Sequence, residues 1–404
     1  MNPEHTSRKT NLSATTTPIW MDPPPPFKAD GGPLQRCDLA IVGAGITGVS
    51  LAWWLRQSGL KVILIDRRHP CAGASGRNAG FLTVGSVAHF GRVAREDGLE
   101  HAIVLRQWIA QSLGDLKDTL QTIGAQCALR ACRAHSLART PQGWQNLQNA
   151  AESMRQANLP VAQTAVDALA PLQGFLGAMT VPNEGALDPA QAVAALLQDC
   201  ADTLTLRRAA VTAITPHHGA HRLHTTAGPI LAERVALTVN GFGPELRPWL
   251  QARIIPRRGQ AMATAPIDAH LPDLCYGTED WAYLRQRPDK RIVIGGCRLT
   301  DPQNEVGTTD ALNNTVQTAI ETFLRRHLPA AAHTPITHRW SGPLGYTADD
   351  RPLVGALPDH PGLHFAGGYS GHGMAWSFIA ARWLARQLTH SQPPPDLINL
   401  QRLA

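Results

Sequence analysis

The 404-residue sequence lacks the features that mark membrane, secreted and nucleic-acid-binding proteins. It contains no run of about 18 to 20 uninterrupted apolar residues, so we expect no transmembrane segment. Its N-terminus has no apolar signal-peptide core, which favours a cytoplasmic protein. The formal charge of +6 is scattered along the chain without a basic run. We therefore expect no nucleic-acid partner.

Cysteine and lysine are also scarce. The seven cysteines form no Cys-x-x-Cys pair and show no regular spacing, which predicts reduced thiols and no metal site. Lysine occurs at five positions in the whole chain. With 43% apolar and 17% charged residues, the composition is that of an ordinary globular protein. The length suits two joined domains or one large α/β enzyme.

The most informative segment is an apolar strand that breaks into three glycines. Gly43, Gly45 and Gly48 have the 1-3-6 spacing, a helix follows them, and the next apolar run ends at Asp66. This layout is typical of a dinucleotide-binding βαβ unit. The glycines allow a tight turn, close approach of a diphosphate and close helix packing, while the helix N-terminus attracts the diphosphate. Asp66 is predicted to accept hydrogen bonds from the adenosine ribose.

A second Gly/Ser-rich loop, residues 73–80, indicates which dinucleotide is bound. A chain that binds only NAD has no particular need for such a loop directly after the second strand, whereas FAD enzymes use one to run along the cofactor toward its isoalloxazine ring. Small residues there let the backbone approach the cofactor, and Ser and Asn supply compact hydrogen bonds. The alternative is that residues 73–80 form an exposed turn with one solvated arginine.

With these blocks the sequence resembles the FAD-dependent oxidoreductases of the D-amino-acid oxidase type, which include glycine oxidase and sarcosine oxidase. Block 73–80 is most similar to the branch containing γ-glutamylputrescine oxidoreductase. Segments 185–191, 340–355 and 367–374 also resemble family segments, and the resemblance runs from about residue 36 to 390. It implies an α/β (α+β overall) fold, with a Rossmann-like FAD-binding domain assembled from discontinuous segments and an inserted antiparallel-sheet substrate domain.

The resemblance and the pattern of apolar residues predict how the chain is divided. Residues 1–35 are expected to form a flexible arm, although Trp20 and Met21 indicate that part of it packs on the body. A helix is predicted to begin at Asp188-Pro189, and another to span 309–328. The predicted ranges are 36–92, 185–245 and 335–390 for the FAD-binding domain, 93–184 and 246–334 for the substrate domain, and 391–404 for a C-terminal tail.

The predicted FAD-binding residues come from the βαβ fingerprint, the second loop and the segments that resemble the family's flavin-contacting signature. The cofactor would lie along all of them. They are Gly43, Ala44, Gly45, Ile46, Thr47, Gly48, Asp66, Arg67, Ala74, Ser75, Gly76, Arg77, Asn78, Val211, Asn240, Gly241, Gly342, Gly367, Gly368, Gly371, His372, Gly373 and Met374.

The resemblance also implies the reaction. Hydride would leave a carbon bearing nitrogen, in a small amine or amino acid, for the flavin N5, and the resulting imine would be hydrolysed. The cofactor supplies the chemistry and the protein supplies alignment, so no side-chain base is required. The alternatives are an FAD-containing subunit or assembly partner without independent turnover, and an NAD-dependent dehydrogenase.

The candidate catalytic residues are His372, Arg285, Arg287 and Tyr283. His372 precedes the last helix, where it would polarise the flavin or bind substrate, or merely cap the helix. Arg285 and Arg287 lie two apart, on one strand face with Tyr283, where the resemblance places an arginine for the substrate carboxylate. The alternative is that these three residues lie on a solvated edge strand and bind no substrate. The second choices are Arg77 and Tyr346.

Two departures from the family bear on the cofactor and the acceptor. Sarcosine oxidases attach flavin through a cysteine near the segment that matches 341–344, and no cysteine lies there, which implies non-covalent FAD. Those oxidases also place a lysine beside the flavin to activate oxygen, and none of the five lysines suits that role. The electron acceptor is expected to be oxygen, or else a quinone or electron-transfer protein, and we favour an oxidase over a dehydrogenase.

Overall fold

The computed structural model describes residues 16–24 and 35–403. Within these ranges no helix combines the length and the apolar character needed to cross a membrane. The helices are α1 (Ile46–Leu55), α2 (Val87–Glu96), α3 (Leu99–Thr122), α4 (Pro141–Gln156), α5 (Pro189–Asp199), α6 (Gly243–Leu246), α7 (Pro248–Gln251), α8 (Asn314–His327) and α9 (Gly373–His390). The strands are β1 (Gln35–Val42), β2 (Val62–Asp66), β3 (Phe81–Leu82), β4 (Arg130–Ala138), β5 (Ala162–Thr164), β6 (Gly177–Ala186), β7 (Leu204–Arg208), β8 (Val211–His217), β9 (Ala220–Thr225), β10 (Ile230–Leu237), β11 (Ile255–Pro266), β12 (Leu274–Gly277), β13 (Tyr283–Gln286), β14 (Arg291–Gly295), β15 (Ile336–Tyr346), β16 (Leu353–Ala356) and β17 (Leu363–Gly367).

The first sheet contains the βαβ unit with the three glycines. Its strands run in the order β16-β17-β10-β1-β2-β7, and β8 and β9 extend it beside β10. Strands β17, β10, β1, β2 and β7 run parallel to one another, and β16 is antiparallel to β17. The central strands are buried on both faces, as expected when helices cover a parallel sheet. The predicted Rossmann-like sheet from discontinuous segments is confirmed.

The second sheet has the order β15-β11-β14-β13-β12-β4-β6-β3, with β5 beside β6. Its neighbours are antiparallel except for β12 and β4, which are parallel. The expected antiparallel sheet is therefore present with one parallel pair. β3 and β15 pair within this sheet, although both were predicted in the FAD-binding segments. Each is continuous with a loop of the candidate site, so the backbone links the second sheet directly to that site.

Two helix starts test the capping arguments. α5 begins at Pro189 as predicted, because the Asp188 carboxylate accepts hydrogen bonds from the N–H groups of Ala190 and Gln191. The helix predicted over 309–328 is shorter, Asn314–His327. The side chain of Asn313 accepts hydrogen bonds from the first turn and thereby fixes the start of α8.

Part of the predicted flexible arm is packed against the body. Ile19, Trp20 and Met21 form a short 3-10 turn and are buried. The apolar side chains account for this packing, since exposing them would cost free energy in proportion to their area. Residues 1–15 and 25–34 of the predicted arm lie outside the described residues.

Candidate functional site

A cavity of about 350 Å³ lies at the carboxyl ends of β1, β2 and β10. We call it the central cavity. The N-termini of α1 and α9 both open onto it, through Gly45 and Ile46 in one case and Gly373 and Met374 in the other. Two positive helix ends at one cavity favour a ligand that carries negative charge at two points.

The glycines of the βαβ unit are required by close packing. A Cβ at Gly48 would lie 1.9 Å from the carbonyl oxygen of Gly43, so α1 could not stay where it is. Gly43 has φ +107°, which favours glycine. A Cβ at Gly45 would lie 2.9 Å from the Ser75 hydroxyl, at the wall of the cavity. These positions keep the backbone open to a ligand.

The outer end of the central cavity is shaped for a nucleoside. Asp66 ends β2, and its carboxylate accepts hydrogen bonds from the N–H groups of Ala44 and Arg68, both at 2.8 Å. Burial raises the pKa of Asp66. The Arg67 guanidinium lies 4.1 Å from the centre of the Phe242 ring, and both residues line the cavity. A carboxylate beside a flat, partly apolar pocket suits a ribose and its base.

The loop formed by residues 72–80, which we call the flavin loop, is held from behind. Three consecutive carbonyls accept hydrogen bonds from side chains that lie far away in the sequence. The pairs are Trp340 Nε1 with Arg77 O (2.8 Å), Trp20 Nε1 with Asn78 O (2.7 Å) and Arg285 Nε with Ala79 O (2.6 Å). The opposite side of the loop, at Gly73, Ala74, Ser75 and Asn78, lines the central cavity.

The segment before α9 closes the other end. The Tyr369 hydroxyl lies 3.1 Å from that of Thr47, which donates to Ser377 at 3.1 Å, so α1 and α9 are joined at the cavity wall. The N–H of Gly368 donates to the side chain of Asn240 at 2.9 Å. This network fixes where the N-terminus of α9 points.

His372 lies beside the central cavity but does not line it. Its ring packs 5.0 Å from the ring of His89, and both line a second cavity of about 30 Å³ together with Arg106 and Asp350. Burial lowers the pKa of His372, and it lowers the pKa of His89 to about 3. Both rings are therefore neutral at pH 7. The proposed role of His372 at the flavin stays a prediction.

Arg285 and Arg287 lie together, as predicted, but not at the central cavity. Arg285 is 2% exposed, and its guanidinium donates to the carbonyls of Ala79 and Leu187, both at 2.6 Å. Burial lowers its pKa to about 10. The Trp20 ring lies 5.2 Å from Arg285 and 4.4 Å from Arg287. This geometry does not match the predicted carboxylate role, because backbone carbonyls engage the Arg285 donors and Trp20 lies against both side chains.

A different arginine lies near the cavity end of α9. Arg298 donates to the Tyr346 hydroxyl at 2.7 Å, and its guanidinium lies 4.5 Å from the centre of that ring. A Cβ at Gly371, which lines the cavity, would lie 3.2 Å from the same hydroxyl. Within the described ranges no carboxylate lies within 4.0 Å of Arg298. Tyr283 lies in the same region, with its hydroxyl close to Gly295.

Most predicted cofactor residues line the central cavity. Those that do are Gly43, Gly45, Ile46, Thr47, Asp66, Arg67, Ala74, Ser75, Asn78, Val211, Asn240, Gly371, Gly373 and Met374. Those that do not are Ala44, Gly48, Gly76, Arg77, Gly241, Gly342, Gly367, Gly368 and His372. Sequence reasoning missed several lining residues, among them Arg68, Thr238, Phe242, Leu344 and Tyr369. Tyr369 and Leu344 lie inside blocks already singled out, which was the available signal.

The remaining candidate groups lie elsewhere. All seven cysteines are free and buried, and none lines the central cavity. Among the lysines that the structure describes, none lines it either. Over residues 16–24 and 35–403, no group of three or more His, Cys, Asp or Glu side chains is placed to hold a metal ion.

Comparison with known proteins agrees with this geometry. Residues 38–387 match the family model DAO, described as FAD dependent oxidoreductase. The chain is 26% identical to the probable oxidoreductase OrdL of Rhizobium meliloti (strain 1021), over 90% of this chain and 86% of that protein. It is 24% identical to γ-glutamylputrescine oxidoreductase of Escherichia coli (strain K12), over 87% and 83%. The crystal structure of glycine oxidase from Geobacillus kaustophilus has the same fold, with a TM-score of 0.74 at 20% identity over 89% and 96%.

Proposed function

The chain belongs to the DAO family of FAD dependent oxidoreductases, and we propose that it binds one FAD non-covalently in the central cavity and oxidises the C–N bond of an amine or amino acid. The observation that carries the proposal is the meeting of the βαβ glycines, the flavin loop and the N-termini of α1 and α9 around one cavity. The amine or amino-acid class is supported by the relatives named above.

The residues around the cavity fit FAD. The N-terminus of α1 would hold the diphosphate, and Asp66 with the Arg67 and Phe242 pocket would hold the adenosine. The N-terminus of α9 would face the flavin, where its dipole stabilises negative charge. No cysteine lines the cavity, which supports non-covalent binding. Bound FAD would supply the hydride acceptor, while the residues of the chain bind and orient the substrate.

We propose that Arg298, rather than Arg285, binds a substrate carboxylate. Its guanidinium has no acidic partner within the described part of the chain, and it lies with Tyr346 next to Gly371. A half-buried arginine without a counter-ion favours an anionic ligand, and its planar donors match a carboxylate. The Trp281 ring lies 5.7 Å from the guanidinium and would shield part of it from water.

Two measurements test the cofactor and the reaction. Acid precipitation should release all the flavin into the supernatant, and flavin kept in the pellet would contradict non-covalent binding. Anaerobic mixing with a panel of amines and amino acids should bleach the flavin absorbance with at least one of them. A flavoprotein that no member of the panel bleaches would instead be a subunit without independent turnover.

We propose oxygen as the electron acceptor, because Arg298 places a positive charge near the proposed flavin end of the cavity, where it would stabilise reduced oxygen. A quinone or an electron-transfer protein is the alternative. Pre-reduced protein is mixed with air-saturated buffer in a stopped-flow instrument. Reoxidation within seconds supports an oxidase, whereas reoxidation over minutes with fast discharge to a quinone analogue shows a dehydrogenase.

A further inference from the structure

The segment 16–24 precedes the dinucleotide-binding unit in sequence but packs behind the flavin loop. We propose that this segment is a strap that keeps the flavin loop in its FAD-binding conformation, with Trp20 as the positioning residue. The proposal rests on the FAD site proposed above. It adds to that site a requirement for residues that do not line the cavity.

Trp20 holds Asn78, the residue whose side chain makes the hydrogen bonds within the flavin loop. Its side chain is 4% exposed, and its indole N–H donates to the carbonyl of Asn78 at 2.7 Å. The Asn78 side chain in turn donates to the Ser75 carbonyl at 2.6 Å and accepts from the N–H of Gly80 at 2.7 Å. Because Asn78 and Ser75 both line the central cavity, a shift of Trp20 would reach the cavity wall through one residue.

The other strap contacts fall on neighbouring loop residues. The Thr16 hydroxyl accepts from the Arg77 guanidinium at 2.7 Å and donates to Asp310. The Met21 sulfur would lie 3.3 Å from a Cβ placed at Gly76. The strap therefore touches residues 76, 77 and 78 in succession, all from the side away from the cavity.

Trp20 also acts through a second tether. Its ring lies 5.2 Å from the Arg285 guanidinium, which holds the carbonyls of Ala79 and Leu187. Arg285 is buried, and the Trp20 ring supplies a cation–π contact on it. Loss of Trp20 would thus remove a direct contact to the loop and would also open the surroundings of the arginine that holds the next carbonyl.

A strap that positions the flavin loop and a segment that only stabilises the fold have different effects on the Kd for FAD. If the loop occupies its binding conformation for a fraction of the time, the apparent Kd for FAD is the intrinsic Kd divided by that fraction. Loosening the strap lowers the fraction and so raises the Kd. If the segment merely added stability, loosening it would lower the Tm of the apoprotein and of the FAD-loaded protein equally and would leave the Kd unchanged.

The experiment uses the full chain with Trp20→Phe, Trp20→Ala and the control Phe175→Ala. Phe175 is 6% exposed and packs against Phe323 and His327, and it does not line the cavity. FAD is titrated into apoprotein and the Kd is read from quenching of flavin fluorescence, and the Tm is measured with and without FAD.

We expect Trp20→Ala to raise the Kd about tenfold or more, and Trp20→Phe about threefold, since phenylalanine keeps a ring but lacks the N–H. Phe175→Ala should lower both Tm values and leave the Kd within about twofold. An unchanged Kd in Trp20→Phe, or a Trp20→Ala effect no larger than that of Phe175→Ala, overturns the proposal. If Trp20→Ala fails to fold, Trp20→Phe decides. Failure of the unmodified protein to bind FAD would instead overturn the proposed function.

Discussion

The two ends of the central cavity are built from different parts of the chain. The nucleotide end is made of glycines, backbone groups and the α1 N-terminus, and a single added Cβ at Gly48 would overlap the Gly43 carbonyl at 1.9 Å. The proposed substrate end lies beside the cavity, where Arg298, in the turn after β14, meets Tyr346 at the end of β15, near a Trp281 that is 53% exposed. We infer that substitutions of the packed glycines at the nucleotide end disrupt the backbone, whereas a side chain at the proposed substrate end can be replaced without moving its neighbours.

The largest expected effect is at the nucleotide end. Gly48→Ala should reduce FAD affinity by about 1,000-fold, roughly 4 kcal/mol, because helix α1 must move away from β1 and thereby displace the diphosphate site. The measurement is the Kd for FAD by fluorescence titration. Gly114→Ala, in α3, is the matched control, since a Cβ there meets nothing within 4 Å. Equal FAD affinities in the two variants would remove the distinction between the two ends.

The next effect concerns the substrate end. Arg298→Met should weaken use of a carboxylate substrate by about 2 to 5 kcal/mol in kcat/KM and leave FAD binding intact. A decarboxylated analogue should be used equally by variant and unmodified protein. Arg287→Met is the control, because Arg287 pairs with Asp289, whereas Arg298 has no acidic partner within the described residues. A loss in Arg287→Met that matches or exceeds the loss in Arg298→Met would return the role to Arg285 and Arg287, at the end of β13.

We also expect one carboxyl group in the second sheet to make the stability of the protein depend on pH. Glu184 on β6 is 1% exposed, its Oε1 has no partner within the described structure, and burial raises its pKa to about 7. From about pH 4.5 to 7 the folded chain therefore keeps a proton that the unfolded chain releases, and stability falls as pH rises, by up to about 3 kcal/mol.

Glu184→Gln should abolish that slope. The free energy of unfolding in urea is compared at pH 5 and pH 8, where the variant should lose about 2.5 kcal/mol less than the unmodified protein. Glu100→Gln, at an exposed position in the first turn of α3, is the control and should keep the slope. A slope that persists in Glu184→Gln shows that another group causes it.

The smallest effect separates the partners at the substrate end. Tyr346→Phe removes the hydroxyl that accepts a hydrogen bond from Arg298 and should raise KM for a carboxylate substrate by about three- to tenfold, near 1 kcal/mol. Tyr276→Phe makes the same change on β12, where the hydroxyl contacts Thr83 instead, and should leave KM unchanged. If the two variants behave alike, Tyr346 does not orient the arginine.

The same contrast explains what could be predicted from the sequence. The nucleotide end follows from local spacing: Gly43 to Asp66 form one βαβ unit, and its parts contact each other because they are close in sequence. The proposed substrate end depends on contacts between segments that are distant in the sequence. Arg298 meets Tyr346 across 48 positions, and no periodicity in either segment indicates that contact.

The assignment of Arg285 shows the limit more closely. Alternation along β13 correctly places Tyr283 and Arg285 on one face, and Arg287 beside Trp20 with Arg285. Alternation gives no information on which end of that face meets the cavity. Only the fold shows that Arg285 reaches the flavin loop and Leu187 instead, and that a segment predicted as a flexible arm packs over it.

The tether between Arg285 and the carbonyl of Ala79 joins residues 206 positions apart. For recombination between relatives, this contact sets where a crossover can fall. A chimera that takes its first 92 residues from one parent and its β13 from another would combine a loop with an arginine that did not evolve beside it. Libraries that exchange the loop and β13 together should therefore yield more flavin-containing members than libraries that exchange either segment alone.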